Sequence, residues 1–334
     1  MTVDLPLVWA LLLAFGVFLY VVLDGFDLGI GILSPLLGGK DARGTALATI
    51  APVWDGNETW LVFGGAVLFA AFPLAFSIAL TALYAPLTVM VLALIFRGVA
   101  FEFRHRATRG AHLWDAGFAA GSLVATLCQG VVLGAFVQGI AVEGRAYAGG
   151  WYDWLTPFSL FTAAALAAGY ALLGAGWLIL RTEGALQARA YRLAAPLAVA
   201  TLAAVAVISA WTPLLVPAYA ERWFAWPNIA LLAPVPVLVG IVALLLADAL
   251  RRRRERRPFP LALALFALSY LGLGISLYPA IVPPSLHFRA AASPHATLVF
   301  MLVGTAVLLP IILGYTVHSY RVFRGKVRHD DGYG

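Results

Sequence analysis

The stretch LYVVLDGFDLGIGIL (19–33) places two carboxylates, Asp24 and Asp27, inside an apolar segment that begins near residue 8. A bilayer crossing needs roughly 20 mostly apolar residues, and this segment provides them. A charged side chain at membrane depth is costly, so it normally faces protein or water and marks a functional site. The segment therefore predicts a transmembrane helix that carries a buried acidic site.

The composition extends this interpretation to the whole chain. Of its 334 residues, 62% are hydrophobic and only 11% are charged, whereas about 25% of the residues of a soluble domain are charged. These values predict an integral membrane protein. The first apolar run has no basic region before it and no small-residue cleavage site after it, so we do not expect a secreted precursor.

Further apolar segments follow the first one along the chain. Nine segments in all are long enough to cross a membrane, at about 8–33, 51–75, 78–101, 114–141, 156–180, 192–213, 228–250, 258–281 and 296–320. The gaps between them are short and contain proline, glycine or charged residues. The sequence therefore predicts a single all-α membrane domain over residues 1–334, with nine transmembrane helices.

The basic residues predict how this domain is oriented. Most of the 22 lysines and arginines fall in alternate gaps, and the other gaps hold only Arg145, Arg222 and Arg289. Cytoplasmic loops carry the excess of Lys and Arg, which predicts a periplasmic N-terminus and a cytoplasmic C-terminus. Because the positive charges separate apolar segments and form no basic face, we do not expect binding to nucleic acid.

Two more stretches bring polar residues to the depth of the first acids. PVWDGNETWLVF (52–63) opens the second span, and its Asp55 and Glu58 share one helix face. FRGVAFEFRHR (96–106) closes the third span with Arg97 and Glu102. In the predicted topology these side chains all lie near the cytoplasmic surface.

Each of these residues also has a simpler interpretation. Asp55 and Glu58 could be ordinary acidic residues in the first turn of a helix, where the helix dipole favours them. Arg97 could extend its side chain to the membrane surface. Glu102 could form a surface pair with Arg104.

The two acids of the first span are harder to explain as purely structural. They lie three residues apart, so they share one buried face and need a partner or a proton. A close pair of carboxyl groups can share one proton. This property suits a proton-conducting relay.

The sequence does not predict a metal or haem site in this chain. Its one cysteine cannot form a thiolate metal site. None of the six histidines lies mid-span opposite another, as the axial ligands of a haem between transmembrane helices would. We therefore expect no haem held by this chain alone.

Four stretches resemble one protein family over the whole chain: LDGFDLGIGIL (23–33), APVWDGNETWLVFGGAVLFAAFPLAFS (51–77), FRGVAFEFR (96–104) and PIILGYTVHSYRVFRGK (310–326). Together they resemble subunit II of the cytochrome bd-type quinol oxidases. The chain is short for that family and lacks a long periplasmic insertion between its sixth and seventh spans. In this respect it is similar to the compact, cyanide-insensitive branch.

The resemblance implies an architecture and an activity. The architecture is two four-helix bundles, here 8–141 and 156–281, plus a peripheral last helix at 296–320. The activity is oxidation of membrane quinol with reduction of oxygen to water in the bacterial inner membrane. Haem b and a haem of the d type are held by the partner, subunit I, and a small single-helix accessory subunit can join them. Catalytic residues are therefore not expected in this chain.

The resemblance also implies roles for individual residues. Asp24 and Asp55 occupy positions that contribute to a cytoplasmic proton path, and Trp54 and Arg97 match residues beside a quinone in some members. Adding the neighbouring acids, we predict a proton path of Asp24, Asp27, Asp55, Glu58 and Glu102, and a structural quinone at Trp54 and Arg97.

The predicted function is therefore that of a non-haem subunit, which supports subunit I and contributes to proton uptake. Two alternatives remain at this point. A proton-coupled secondary transporter would also place acids in its helices, and it would act without a partner. A purely structural scaffold would tolerate replacement of every acid by its amide.

Overall fold

The computed structural model describes residues 3–107 and 110–327. The helices are α1 Leu5–Leu33, α2 Lys40–Ala48, α3 Trp54–Ala71, α4 Pro73–Ala82, α5 Tyr84–Arg106, α6 Ala111–Gln138, α7 Pro157–Arg181, α8 Gly184–Leu215, α9 Pro217–Phe224, α10 Asn228–Leu232, α11 Pro234–Arg251, α12 Pro258–Leu277, α13 Phe288–Ala291 and α14 His295–Val322. The strands are β1 Val142–Glu143, β2 Ala146–Tyr147, β3 Ala280–Val282 and β4 Leu286–His287.

The described residues confirm a helical membrane fold. Eight helices are long and apolar enough to cross a bilayer, and α3 with α4 makes a ninth if that bent pair counts as one span. The chain is not purely α-helical, however. Two antiparallel ribbons, β1–β2 and β3–β4, lie in the loops. Strands of two or three residues lack the length over which an alternating pattern can be recognised.

The predicted second and third spans, 51–75 and 78–101, have the wrong boundaries. Helix α3 ends at Ala71, and α4 turns by 118° before α5 begins at Tyr84. The break follows from Pro73, because proline disfavours helical geometry in the residue before it and starts a helix well. Phe72 accordingly has φ −134° and ψ 58°.

Helix α8 also differs from its predicted span at 192–213. It begins eight residues earlier, at Gly184, and continues to Leu215. The early part is amphipathic rather than apolar, so a search for apolar segments misses it. Gly184 has a φ of +62°, which glycine adopts at little cost, and it lets the chain reverse directly after α7.

Helices α1 and α7 form the centre of the molecule. Helix α1 packs against α3, α6 and α7, while α7 packs against α6, α8 and α12. Helices of the two predicted bundles therefore contact each other directly, and the division into bundles stays a prediction. Helix α14 lies at the edge: within His295–Val322 only Leu298 and Ser319 are buried.

The closest approach in this centre needs glycine on both helices. A Cβ at Gly29 would overlap the backbone carbonyl of Tyr170, and a Cβ at Gly174 would lie 2.6 Å from the carbonyl carbon of Gly29. Small residues at such crossings let helices approach to backbone contact in a membrane. This contact fixes the position of α1, which carries the two buried acids.

The segment after α14, which contains Lys326 and Val327, packs across one end of the helix bundle. Val327 N–H donates to the carbonyl of Arg181 at 2.8 Å, and Lys326 Nζ donates to the carbonyl of Thr182 at 2.9 Å. Lys326 also pairs with Glu255, in the loop between α11 and α12, at 2.6 Å. Three of the gaps that the sequence marks as rich in basic residues, those after α7, α11 and α14, thus meet at this end.

The pair of Lys326 and Glu255 gives a testable expectation. The hydrogen bond from Lys326 lowers the pKa of Glu255, so the pair is intact at neutral pH and is lost only as pH falls below the usual glutamate range. We expect Glu255→Gln to release the segment and to speed tryptic cleavage after Lys326 severalfold at pH 8. Glu183→Gln, at another exposed acid of the same end, is the control. Equal cleavage of both variants would contradict the role of the pair.

Candidate functional site

Arg97 of α5 lies at the centre of the candidate site. Its side chain is only 1% exposed, and its Nη1 donates to Asp24 Oδ1 at 2.9 Å and to Glu58 Oε1 at 3.3 Å. Asp24 is 0% exposed, whereas 27% of the Glu58 side chain is exposed. Three predicted site residues from α1, α3 and α5 therefore form one ion-pair cluster that reaches from the interior to the surface.

The surroundings hold the Arg97 side chain in place. Its guanidinium carbon lies 5.9 Å from the ring centre of Trp54 and 5.8 Å from that of Phe118. Gly121 of α6 allows this packing, since a Cβ there would lie 2.8 Å from the carbonyl of Ala93 and 3.0 Å from the Cβ of Arg97. The interpretation of Arg97 as a side chain that reaches the membrane surface is therefore wrong.

Asp27 is held by different partners. Its Oδ2 accepts a hydrogen bond of 2.7 Å from Asn57 of α3, and the Asn57 Oδ1 accepts one of 2.9 Å from the hydroxyl of Tyr320 of α14. Asp27 is 0% exposed, and its Oδ1 has no hydrogen-bond partner among the described residues. Asp24 and Asp27 thus face two separate sets of partners.

A small cavity lies beside Asn57, between the start of α3 and the C-terminal end of α14. It has a volume of about 80 Å³, and its lining includes Asp55, Asn57, Thr316, Ser319 and Tyr320. We call it the α3–α14 cleft. A polar cavity of this size has room for a few water molecules.

The two remaining predicted acids, Asp55 and Glu102, lie at the surface. Both are exposed, and Asp55 is close enough to Glu102 and to Arg97 to interact electrostatically with each. They border the cluster without forming an ion pair with Arg97 in the described structure. The first turn of α3 contains Asp55, so its interpretation as an ordinary helix-end charge fits its position equally well.

The interpretation of Glu102 and Arg104 as a surface pair is wrong. Arg104 donates to Asp115 of α6, and Arg43 of α2 approaches the same carboxylate at 3.3 Å. Asp115 is 6% exposed. It therefore belongs to a second ion-pair cluster, separate from that of Arg97.

Several residues of this site were not assigned a role from the sequence. Besides Asn57 and Tyr320, a partly buried chain of hydrogen bonds lies one turn from Asp24. Gln129 donates to the Tyr20 hydroxyl at 2.7 Å and accepts from the Tyr170 hydroxyl at 2.9 Å. Asn57 and Gln129 stand out as amides within apolar spans, and that signal could have identified them.

The described residues do not fit a haem. His112, His287, His295 and His318 are all exposed, and no group of three or more metal-ligating side chains occurs in the described part of the chain. His329 lies outside the described residues, as does the side chain of His105. An axial ligand pair at membrane depth is what a haem between helices requires.

The pair of Trp54 and Arg97 fits a quinone only in part. The Arg97 Nε and Nη2 atoms are buried and have no hydrogen-bond partner among the described residues, so they could donate to a quinone carbonyl. The rings of Trp54 and Phe118 lie beside the guanidinium, and Trp54 also packs against Phe101 with 5.1 Å between ring centres. Free donors are present, but aromatic side chains occupy much of the space around them.

Known proteins resemble this chain over nearly its whole length. The family profile described as cytochrome bd terminal oxidase subunit II matches residues 5–323. Cytochrome bd-I ubiquinol oxidase subunit 2 of Escherichia coli K12 is 30% identical over 364 residues, which cover 98% of this chain and 96% of the relative. Cytochrome bd ubiquinol oxidase subunit 2 of Bacillus subtilis is 29% identical over 336 residues and 97% of both chains.

A solved structure shares the fold. A chain from the structure of the bd oxidase of Geobacillus thermodenitrificans superposes with a TM-score of 0.79 at 18% sequence identity, covering 96% of this chain and 99% of that one. The sequence motifs, the arrangement of the spans and these similarities agree. The chain belongs to the family of subunit II of the cytochrome bd terminal oxidases.

Proposed function

We propose that this chain is the non-haem subunit of a quinol oxidase that reduces oxygen to water, and that it delivers cytoplasmic protons to its partner. The partner is a haem-bearing subunit I, which holds haem b and a haem of the d type, and the two form a heterodimer that a small single-helix subunit can join. This chain also supports the folded state of subunit I.

Family membership makes the chain a multi-pass protein of the bacterial inner membrane and a subunit of an oxidoreductase complex. We infer the orientation from the arginine-rich gaps. The end of the bundle that contains Arg181, Glu255 and Lys326 faces the cytoplasm in this proposal, and the β1–β2 and β3–β4 ribbons face the periplasm.

The observation that carries the proposal is the cluster of Asp24, Glu58 and Arg97. Glu58 is partly exposed and Asp24 is fully buried, and one arginine contacts both. With Asp27 nearby, buried carboxylates outnumber the single positive charge. Because an uncompensated buried charge is costly, such a cluster favours the binding of protons.

The direction of transfer follows from exposure. Asp55, Glu102 and Glu58 are at least partly exposed, so they can take up protons from water. Asp24 and Asp27 are buried behind Arg97 and Asn57, so in this proposal they receive protons from the exposed acids. Oxygen reduction consumes protons. If they come from the cytoplasm while quinol releases its own protons on the periplasmic side, the reaction builds a membrane potential without a separate pump.

We also propose that a structural quinone contacts Trp54 and Arg97. The support for this is the pair of free donors, Nε and Nη2, on the buried guanidinium. A quinone there would stabilise the fold rather than take part in turnover.

The proton-uptake role predicts a slow enzyme when Asp24 is neutralised. Asparagine keeps the shape of the side chain and can still accept a hydrogen bond from Arg97, but it cannot carry a proton. We expect Asp24→Asn to lower oxygen consumption per haem on the order of tenfold or more, as loss of a proton-transfer group does. Oxygen uptake with a quinol donor and the haem spectrum of the purified complex measure this.

Asp115→Asn is the matched control, since Asp115 is a buried, arginine-paired acid outside the cluster. We expect it to lower stability while turnover per haem stays normal. Full turnover of Asp24→Asn with a full haem complement would refute the proton-uptake role. Equal slowing by both variants would indicate a general electrostatic effect.

A further inference from the structure

The two buried acids of α1 have different neighbours, and the difference matters for how protons reach them. Asp24 contacts Arg97, whose second partner Glu58 is 27% exposed. Asp27 has no such link among the described residues: its Oδ2 accepts from Asn57, and its Oδ1 is buried without a partner there. The chain of ion pairs from Glu58 therefore ends at Asp24.

The α3–α14 cleft lies on the other side of Asn57. Its volume of about 80 Å³ and its hydroxyl, amide and carboxylate lining suit water. Asp55, which lines it, is exposed. The cleft thus leads from the surface to Asn57, one hydrogen bond away from Asp27.

Asn57 blocks the transfer of a proton from water in the cleft to Asp27. Its side chain is 1% exposed, donates to Asp27 at 2.7 Å, and accepts from Tyr320 at 2.9 Å. A neutral amide has no readily ionised proton, so it does not pass protons on as a carboxyl group does. Water must replace one of these hydrogen bonds before a proton moves from the cleft to Asp27.

Tyr320 is placed to control that replacement. It lies near the inner end of α14, a helix that buries only Leu298 and Ser319 within His295–Val322. Among the described residues, this end is held mainly by Ser319 and Tyr320, so a small displacement of it breaks the contacts of these two side chains and few others. The ring of Tyr320 rests against Phe26 and Trp177, with ring centres 6.5 Å and 6.1 Å away, and these contacts guide the ring back into place.

We propose that the α3–α14 cleft is a second water inlet to the buried acids, and that it opens to Asp27 when Tyr320 releases Asn57. This inlet is separate from the path through Glu58. The inference rests on the proposed role in proton uptake and adds a gate, Tyr320 with Asn57, that controls access to Asp27.

The first test asks whether the cleft contains water in the assembled complex. In a Cys128→Ser background, Thr316→Cys places a thiol in the cleft. Val317→Cys places one on the outer face of the same helix, where 47% of Val317 is exposed in the isolated chain and where we expect lipid or the partner subunit, and not water, in the complex. A charged thiol reagent requires water and a thiolate. We expect position 316 to react at least about tenfold faster than position 317. Similar slow rates at both positions would overturn the inlet.

The second test asks whether Tyr320 is the gate. Tyr320→Phe removes the hydroxyl that bonds Asn57 and keeps the ring. Tyr315→Phe makes the same change at another residue of the cleft and is the control. Labelling by a water-soluble carbodiimide with an amine, located by mass spectrometry, reports the access of water to Asp27. We expect severalfold faster labelling of Asp27 in Tyr320→Phe alone, and equal labelling in both variants would overturn the gate.

These readouts separate the inlet from the proposed function. If Asp24→Asn keeps full turnover, the role in proton uptake fails, although thiol and carbodiimide reactivity still reveal whether water reaches Asp27. If turnover falls in Asp24→Asn and position 316 is unreactive, uptake runs through Glu58 and the cleft is not an inlet.

Discussion

Replacing Arg97 by methionine is expected to abolish a stable complex. The change leaves Asp24, which is 0% exposed, without its positive partner and removes the ion pair of Glu58. Breaking a buried ion pair by removing one partner costs about 3–5 kcal/mol, which is a large part of the stability of most proteins. The yield and the thermal midpoint of the purified complex measure the loss.

Two further variants show whether the uncompensated acid is the cause. Arg43→Met removes a partner of Asp115 that is itself 26% exposed, so we expect a loss of no more than about 1 kcal/mol. Arg97→Met combined with Asp24→Leu replaces the pair by apolar side chains, and much of the lost stability should return. A single Arg97→Met variant as stable as Arg43→Met would show that the cluster is not held by this charge.

Valine in place of Gly29 is expected to prevent α1 from packing against α7. The added Cβ would overlap the carbonyl oxygen of Tyr170. Helix α1 cannot shift along α7 to avoid this overlap, because the backbone of Gly174 already packs against the backbone of Gly29. No side-chain rotation relieves an overlap with backbone. Overpacking by side chains typically costs about 1–3 kcal/mol, so we expect at least about 3 kcal/mol here. Detergent-solubilised yield and thermal unfolding test this.

Gly304→Val is the matched control for Gly29→Val. Gly304 lies in α14, and a Cβ added there would have nothing within 4 Å, so we expect a change within about 0.5 kcal/mol. Gly174→Val should behave as Gly29→Val does. A folded, fully active Gly29→Val complex would show that the two helices can separate, and the position of Asp24 and Asp27 would then need another explanation.

Both predictions concern the same physical arrangement. The glycine contact places α1 against α7, and that position aims Asp24 at Arg97 and Asp27 at Asn57. A loss of the contact therefore removes the site together with the fold. The helix packing holds the partners of both acids in position, and these partners offset the cost of burying the two carboxyl groups.

Much of the architecture could be predicted from the sequence. Apolar length decides which segments can cross a membrane, because an unsatisfied backbone in lipid is too costly. The spans beginning near residues 8, 156 and 296 correspond to α1, α7 and α14. The turn at Pro73 was visible in the sequence as a proline, but its 118° angle depends on the loops against which α4 packs.

The candidate site was predictable as a set of residues and not as a set of contacts. The motifs identified Asp24, Asp27, Glu58 and Arg97, because burying a charged side chain at membrane depth costs free energy. Asp24 and Asp27 point about 60° apart around their helix, so a modest rotation of α1 would exchange their partners. Only the packed helices decide that Arg97 contacts Asp24 and that Asn57 contacts Asp27.

By itself, the sequence determined the class of protein, the presence of many apolar segments and the presence of costly acids, because these depend on composition along one dimension. The tertiary structure decided the ion pairs of Arg97, the second cluster at Asp115, and the cleft that joins Asn57 to Tyr320, 263 residues away in the chain. Those features depend on helix rotation and crossing, which glycine contacts such as that of Gly29 with Gly174 determine.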